Sequence, residues 1–205
     1  MEDVLLKMDS DKRLRLINSA MKEFGTNRFD KASTNVIVKD AGISKGLLYH
    51  YFGTKEALFD YILRFSMQTY GNANVNGIKW EKGDIVDRLK DIARIKIELL
   101  ESLPYMTIFA KVMYDDKSLE EVKVLIDSHL PNLYSRIYTE NIDFSLFKEG
   151  EDPGKVIKMI ELFINGFSDE KLSHMKYANY DINVPAYMKE INDYLELYKN
   201  AFYKK

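Results

Sequence analysis

The stretch GISKGLLYHYFGTKEALF, residues 42–59, places Lys45, Gly46, Tyr49 and His50 close together directly after a glycine. At 100° per residue of helix these four fall within an arc of about 140°, and Leu47, Leu48 and Tyr51 fall on the other side. Their chemistry suits contact with an anionic, hydrogen-bonding surface. A lysine ammonium can meet a phosphate or a guanine edge, and a glycine lets the backbone approach closely. A tyrosine hydroxyl can reach a phosphate while its ring lies against sugar or a thymine methyl, and a histidine can bond a base or a phosphate. Two short helices joined by a tight turn, the second showing side chains near its own N-terminus, form the pattern of a helix-turn-helix that enters the major groove. Thr34, Ser44 and Thr54 each stand where a helix is expected to begin, so the free N–H groups there favour a phosphate, and Lys55 adds a cation to the last of these starts.

Nothing elsewhere assembles a reaction centre. His50, His129 and His174 are far apart, the chain holds neither G-x-S-x-G nor a phosphate-binding glycine loop, and there is no cysteine. Asp115-Asp116 and Glu120-Glu121 read as a solvated turn and helix start. The expectation is a protein that is not an enzyme, with no metal and no cofactor. Hydrophobic residues make up 46% and charged ones 30% of 205 residues, the balance of an ordinary globular protein. No apolar run approaches the roughly 18 to 20 residues of a membrane span. The start, MEDVLLKMDSDKR, lacks the apolar core of an export signal, and a cytoplasmic location is expected. The net charge of -2 conceals an asymmetry: Ser10 to Phe65 carries 10 Lys and Arg against 6 Asp and Glu, and the rest carries 20 against 26.

The elements that must position the opening stretch are helical. Leu14, Ile17, Met21 and Phe24 give one apolar face to a helix that Ser10 can cap and Gly25 can end. A short helix follows from Thr34 with Ile37, Val38 and Ala41 inward, Gly42 turns the chain, and a second runs from Ser44 to about Tyr51. After Gly53, Thr54 starts a longer helix with the stripe Leu58, Tyr61, Ile62 and Phe65. GNANVNG, residues 71–77, reads as a turn and puts a soft boundary at 65–78. Further helices are expected at about 84–102, 105–114, 118–140 with a break at Pro131, 153–177 and 185–203.

The run STNVIVKDAGISKGLLYHYFGTKEALFDYIL resembles the N-terminal DNA-binding domain of the TetR family of bacterial transcriptional regulators, and FGTNRFDKAST is similar to the segment preceding it there. The likeness covers residues 10–65 and rests on the Gly42 turn, Ser44-Lys45-Gly46, Tyr49 to Phe52 and Thr54-Lys55-Glu56. It implies an all-α protein of about nine helices, with a three-helix helix-turn-helix domain (1–65) and a helical ligand-sensing and dimerisation domain (66–205). It also implies DNA contacts at Thr34, Ser44, Lys45, Gly46, Tyr49, His50, Tyr51 and Lys55, and a homodimer acting as a repressor on a near-palindromic double-stranded operator. Val36 and Leu47 depart from the family pattern, and the acidic start argues against a basic arm in the minor groove.

In the body, the helix from 153 is apolar nearly all round, with polar groups confined to Lys158, Glu161 and Asn165, as befits a helix buried on two sides. Ile160, Phe163, Ile164 and Phe167, with Ile191, Tyr194 and Tyr198 of the last helix, are the expected dimer interface. Tyr105, Phe109, Met113, Tyr134 and Tyr138 offer adaptable lining for a small, largely apolar ligand and are equally ordinary core. Trp80 reads as an anchor for the connection. The alternative is a DNA-binding protein whose helical body only dimerises or binds another protein.

Overall fold

The computed structural model describes Leu5, residues 7–114, Val124, and residues 128–175 and 183–205. Among these residues the chain is all-α: α1 (Ser10–Lys31), α2 (Thr34–Ala41), α3 (Lys45–Phe52), α4 (Lys55–Gly77), α5 (Ile85–Ser102), α6 (Met106–Tyr114), α7 (Leu133–Thr139), α8 (Pro153–Met175) and α9 (Val184–Phe202), with one 3-10 turn at Phe144–Leu146. The single extended pairing among them is an antiparallel bridge between Phe147 and Tyr203. The expected helix start at 118 and the acidic residues 115, 116, 120 and 121 lie outside the described residues.

Four local expectations need correction. Asp9 caps α1, its carboxylate accepting from the Lys12 amide at 3.1 Å, so Ser10 is already helical. Gly25 does not end that helix, which breaks instead at Arg28 with φ 59° and ψ 167°. The glycine serves packing: a Cβ there would lie 3.0 Å from the Phe109 amide nitrogen and 3.1 Å from the Ile108 carbonyl carbon, so α6 closes on α1 backbone to backbone. Ser33, and not Thr34, occupies the N-cap of α2. Finally, GNANVNG is no turn; α4 continues through it to Gly77. Tertiary partners serve its last carbonyls, because Trp80 Nε1 donates to Val75 at 2.9 Å and Arg94 to Gly77 at 3.2 Å. Acceptors that propensity would leave to water are satisfied by one donor five residues on and one seventeen residues on, and Trp80 is the anchor the sequence suggested.

The chain forms two compact units, Met1–Tyr70 with Leu99–His129, and Gly71–Glu98 with Leu130–Lys205. The core of the first joins Leu16, Ile17, Ala20 and Phe24 of α1 to Ile37, Ala41, Leu48, Leu58, Ile62 and Phe109. Phe59 stands edge-on to Phe24, Phe29 and Phe109, with centroids 5.0 to 5.5 Å away. The core of the second joins Ile85, Val86 and Leu89 of α5 to Val156, Ile160 and Phe167 of α8 and Ile191, Leu195 and Tyr198 of α9. There the buried Arg88 donates to the carbonyls of Arg136 (3.2 Å) and Ile137 (2.9 Å), capping the end of α7 with a cation where the helix dipole favours one.

Candidate nucleic-acid interface

The geometry of the interface starts with α1, which grips α2 at both ends. Glu23, itself buried, accepts from the Ser33 amide at 2.8 Å, and Arg15 Nε donates to the Ala41 carbonyl at 3.1 Å. These residues are eight positions apart on α1, about 12 Å along a helix, which is the length of an eight-residue helix. An acid at the N-terminus of α2 and a base at its C-terminus each oppose the helix dipole. Gly42 then turns the chain at φ 66°, and the Ile43 amide bonds back to Val38 at 3.0 Å.

α3 starts as its sequence suggested. Ser44 Oγ accepts from the Leu47 amide at 3.1 Å, and Gly53 closes the helix at φ 70°. Leu48 and Phe52 are buried, Leu47 and Tyr51 half-buried, and Lys45, Gly46, Tyr49 and His50 exposed, so the arc read from the sequence is the arc left in solvent. Thr34 Oγ1 and the Tyr49 hydroxyl are 3.2 Å apart, and the Lys45 ammonium lies 5.9 Å from the centre of the Tyr49 ring. The Tyr51 ring meets the His50 ring edge-on at 5.5 Å. A Cβ built on Gly46 would come no nearer than 4.0 Å to any atom of the chain, so no internal contact demands glycine there. Thr54 Oγ1 accepts from the Ala57 amide at 3.1 Å. Lys55 is placed differently from the others: its ammonium faces the protein, 2.7 Å from the Phe29 carbonyl and 3.2 Å from that of Ala32.

The residues expected to line a ligand site are divided. Phe109 is fully enclosed in the core of the first unit, against Phe24 and Phe59. Tyr105 edges an open cleft of about 430 Å³ on that unit, with Leu14, Arg15, Asn18, Ser19, Lys22 and Asp40, and carries the Lys22 ammonium over its ring at 5.6 Å. The side chain of Met113 lies outside the described residues. Tyr134 and Tyr138 belong to the second unit, with ring centroids 5.3 Å apart. The Tyr134 hydroxyl donates to Glu161 at 2.6 Å and accepts from Asn165 at 3.3 Å. Burial, with the Glu161 carboxylate adding to it against Asn165, pushes the Tyr134 phenol up to about 12, so it stays a neutral donor. The narrow polar strip of α8 is thus accounted for by a tyrosine of α7.

Of the expected dimer residues, Ile160, Phe167, Ile191 and Tyr198 are committed to the chain's own core, and Tyr198 also bonds the Val156 carbonyl at 2.9 Å. Phe163 and Ile164 are half-buried, and Tyr194 is 43% exposed. The uncovered apolar side chains on these helices include three outside the expected interface set, Met159 (46%), Leu162 (60%) and Leu197 (65%). Met159, Leu162 and Phe163 run along α8 at helical spacing beside Gly166, around whose missing side chain there is open space. Phe163 and Tyr194 rings, 5.0 Å apart, join this stripe to the one on α9. A helix apolar all round gives no internal cue to which side its own core takes, whereas the Glu23 and Arg15 clamp left no local signal at all.

Among the described residues, no helix is long and apolar enough to cross a membrane, and no group of three or more His, Asp or Glu side chains could hold a metal ion.

Residues 16–62 match the family described as bacterial regulatory proteins, tetR family. Over 51 residues, a quarter of each chain, the sequence is 45% identical to the HTH-type transcriptional regulator UidR of Escherichia coli K12. Over 182 residues, 86% of this chain and 91% of the relative, it is 24% identical to the fatty acid metabolism regulator protein of Bacillus subtilis. The fold is also that of the transcriptional regulator FadR from Bacillus subtilis solved in complex with stearoyl-CoA, with a TM-score of 0.59 and 22% identity over 91% of this chain and 97% of that one.

Proposed function

We propose that this chain, a DNA-binding transcription regulator of the TetR family through its N-terminal helix-turn-helix, acts in the cytoplasm as a homodimeric repressor of a near-palindromic operator and releases it on binding a small, largely apolar ligand. The observation that carries the reading is the free arc of α3: Lys45, Tyr49 and His50 point to solvent while Leu48 and Phe52 of the same helix are buried. A single eight-residue helix reads too few base pairs for a unique address. Two, related by a dyad and set about 34 Å or a multiple apart, read a palindrome. The stripe of Met159, Leu162, Phe163, Tyr194 and Leu197 supports pairing, because apolar patches of that kind on a soluble protein are covered by a partner.

The ligand reading is supported by the relatives, whose names concern fatty acids and, in one structure, a bound acyl-CoA. Tyr134 and Tyr138 remain the candidate lining positions within the second unit, and Tyr105, Phe109 and Met113 those within the first, each set taken by itself. The enclosure of Phe109 among core aromatics favours the second reading at that position, a helical body that only dimerises or binds another protein.

Selection of bound duplexes from a random pool, with and without long-chain fatty acids and their acyl-CoA thioesters, tests both. A palindromic consensus whose recovery falls with the acid or the thioester supports the sensor. A consensus indifferent to every acyl chain length leaves the dimerising DNA-binding protein, and protection without sequence preference rejects operator reading itself.

A further inference from the structure

Lys55 opens α4, where a cation at a helix start would ordinarily await a phosphate. A lysine ammonium has three N–H donors and no acceptor. Here the three are directed at three carbonyls: Phe29 at 2.7 Å, Ala32 at 3.2 Å and Asp30 at 3.4 Å. The same nitrogen lies 4.6 Å from the centre of the Phe29 ring. These carbonyls belong to the end of α1 and its C-cap, where helical acceptors have no partner of their own. The connection they form follows Arg28, whose φ of 59° and ψ of 167° are costly for any residue but glycine. The next residue, Ser33, is held through its amide by Glu23, and the one after, Thr34, meets the Tyr49 hydroxyl on α3.

We infer that Lys55 is a positioning residue for DNA binding: it fastens the connection between α1 and α2 by its carbonyls, and so sets where Thr34 and Tyr49 stand, and it is not a phosphate ligand. A phosphate could recruit this ammonium only by stripping donors from carbonyls that have no substitute for them. The inference rests on the DNA-binding role and adds to it the manner in which one conspicuous basic residue serves that role.

The test uses the full-length protein and the duplex that it enriches from a random pool, with affinity measured by fluorescence anisotropy from 50 to 200 mM salt. Lys55→Met and Lys55→Arg should both weaken binding about tenfold, of the order expected for one lost set of charge-assisted hydrogen bonds, with the slope of log affinity against log salt unchanged. Arginine should not rescue, because its longer planar fork does not fit where the compact ammonium sits, 2.7 Å from the Phe29 carbonyl and 4.6 Å from the centre of the Phe29 ring. A slope shallower by about 0.9 in the methionine variant, with affinity retained by the arginine variant, would identify a phosphate ligand and overturn the inference. Lowered thermal stability with unaltered DNA affinity of the folded variants would also overturn it.

Should either variant fail to fold, trace acetylation of the unmodified protein decides the question. In the free protein Lys55 should react more slowly than Lys45, and adding the duplex should leave the Lys55 rate unchanged; fast reaction in the free protein and protection only by DNA would reject the proposal. Failure to enrich any sequence would count against operator reading, while acetylation of the free protein would still judge the placement of Lys55.

Discussion

On α3 the large side chains left uncovered are Lys45, Tyr49 and His50; on α8 and α9 they are Met159, Leu162, Tyr194 and Leu197. Both regions are helices with one face packed on the chain's own core, and the free face differs only in chemistry. A lysine, a tyrosine hydroxyl and an imidazole are well solvated, so α3 can stand in water between encounters with DNA. Four or five apolar side chains cannot do so without cost, at roughly 25 cal/mol for each Å² kept wet. By chemistry the first face suits reversible, salt-sensitive contact and the second lasting cover, and mutations should separate them.

The largest effect is expected at the apolar face. Leu162→Glu combined with Leu197→Glu should leave each subunit folded, since both positions are more than half exposed in the single chain. It should abolish pairing, because an unpaired carboxylate in an apolar contact costs several kcal/mol. Sedimentation should report a monomer of undiminished helical circular dichroism, with specific DNA binding lost. An intact dimer would remove this face from the interface. Phe167→Glu sharpens the contrast: at 5% exposure it lies in the core of the second unit, and its expected result is lost helicity in place of a folded monomer.

A smaller effect is expected on α3. Tyr49→Ala and Lys45→Ala should each lower operator affinity by about 1 to 3 kcal/mol if the side chain contacts a base, with the thermal midpoint essentially unmoved. The neighbour Leu48, 1% exposed, gives the control: Leu48→Ala should cost about 2 to 5 kcal/mol of stability. If Tyr49→Ala unfolds the protein as Leu48→Ala does, the arc has been assigned to the wrong side.

These two regions also differ in how far the sequence alone revealed them. Around α3 the cues were local: Gly42, the Ser44 cap and the 100° sorting of Lys45 to Tyr51 are properties of ten consecutive residues, and the folded chain keeps each of them. In the body the decisive facts are non-local. The end of GNANVNG is capped by Arg94, seventeen residues on, besides the nearer Trp80, and Gly25 is a contact with α6 where a helix stop was expected. The apolar circumference of α8 does not say which arc its own chain covers, and Phe167, expected at the interface, packs in the core of the second unit. Lys55, expected from the sequence as a DNA contact at the start of α4, has three carbonyl partners over twenty residues away in sequence, which no local pattern announces.

The smallest effect concerns the strain beside the DNA-facing unit. Arg28 sits at φ 59° and ψ 167°, a region nearly reserved to glycine, which carries a cost of about 1 to 3 kcal/mol. Arg28→Gly relieves that cost but gives the unfolded chain more freedom, an offset of roughly 0.5 to 1 kcal/mol. The net expectation is a stabilisation of about 1 kcal/mol, seen as a rise of roughly 2 to 4 °C in the thermal midpoint for a chain of this length. The same variant interrogates the comparison between the two faces. An arginine kept in a strained backbone, on the unit proposed to meet DNA, is explained if its side chain contributes to that contact. Arg28→Gly should then raise stability while making the salt dependence of operator binding shallower by about 0.9 in slope, the signature of one lost phosphate contact. A stability gain with an unchanged slope would leave the strain without a DNA-binding purpose. A lowered midpoint would show that the arginine side chain's own contacts outweigh the backbone cost.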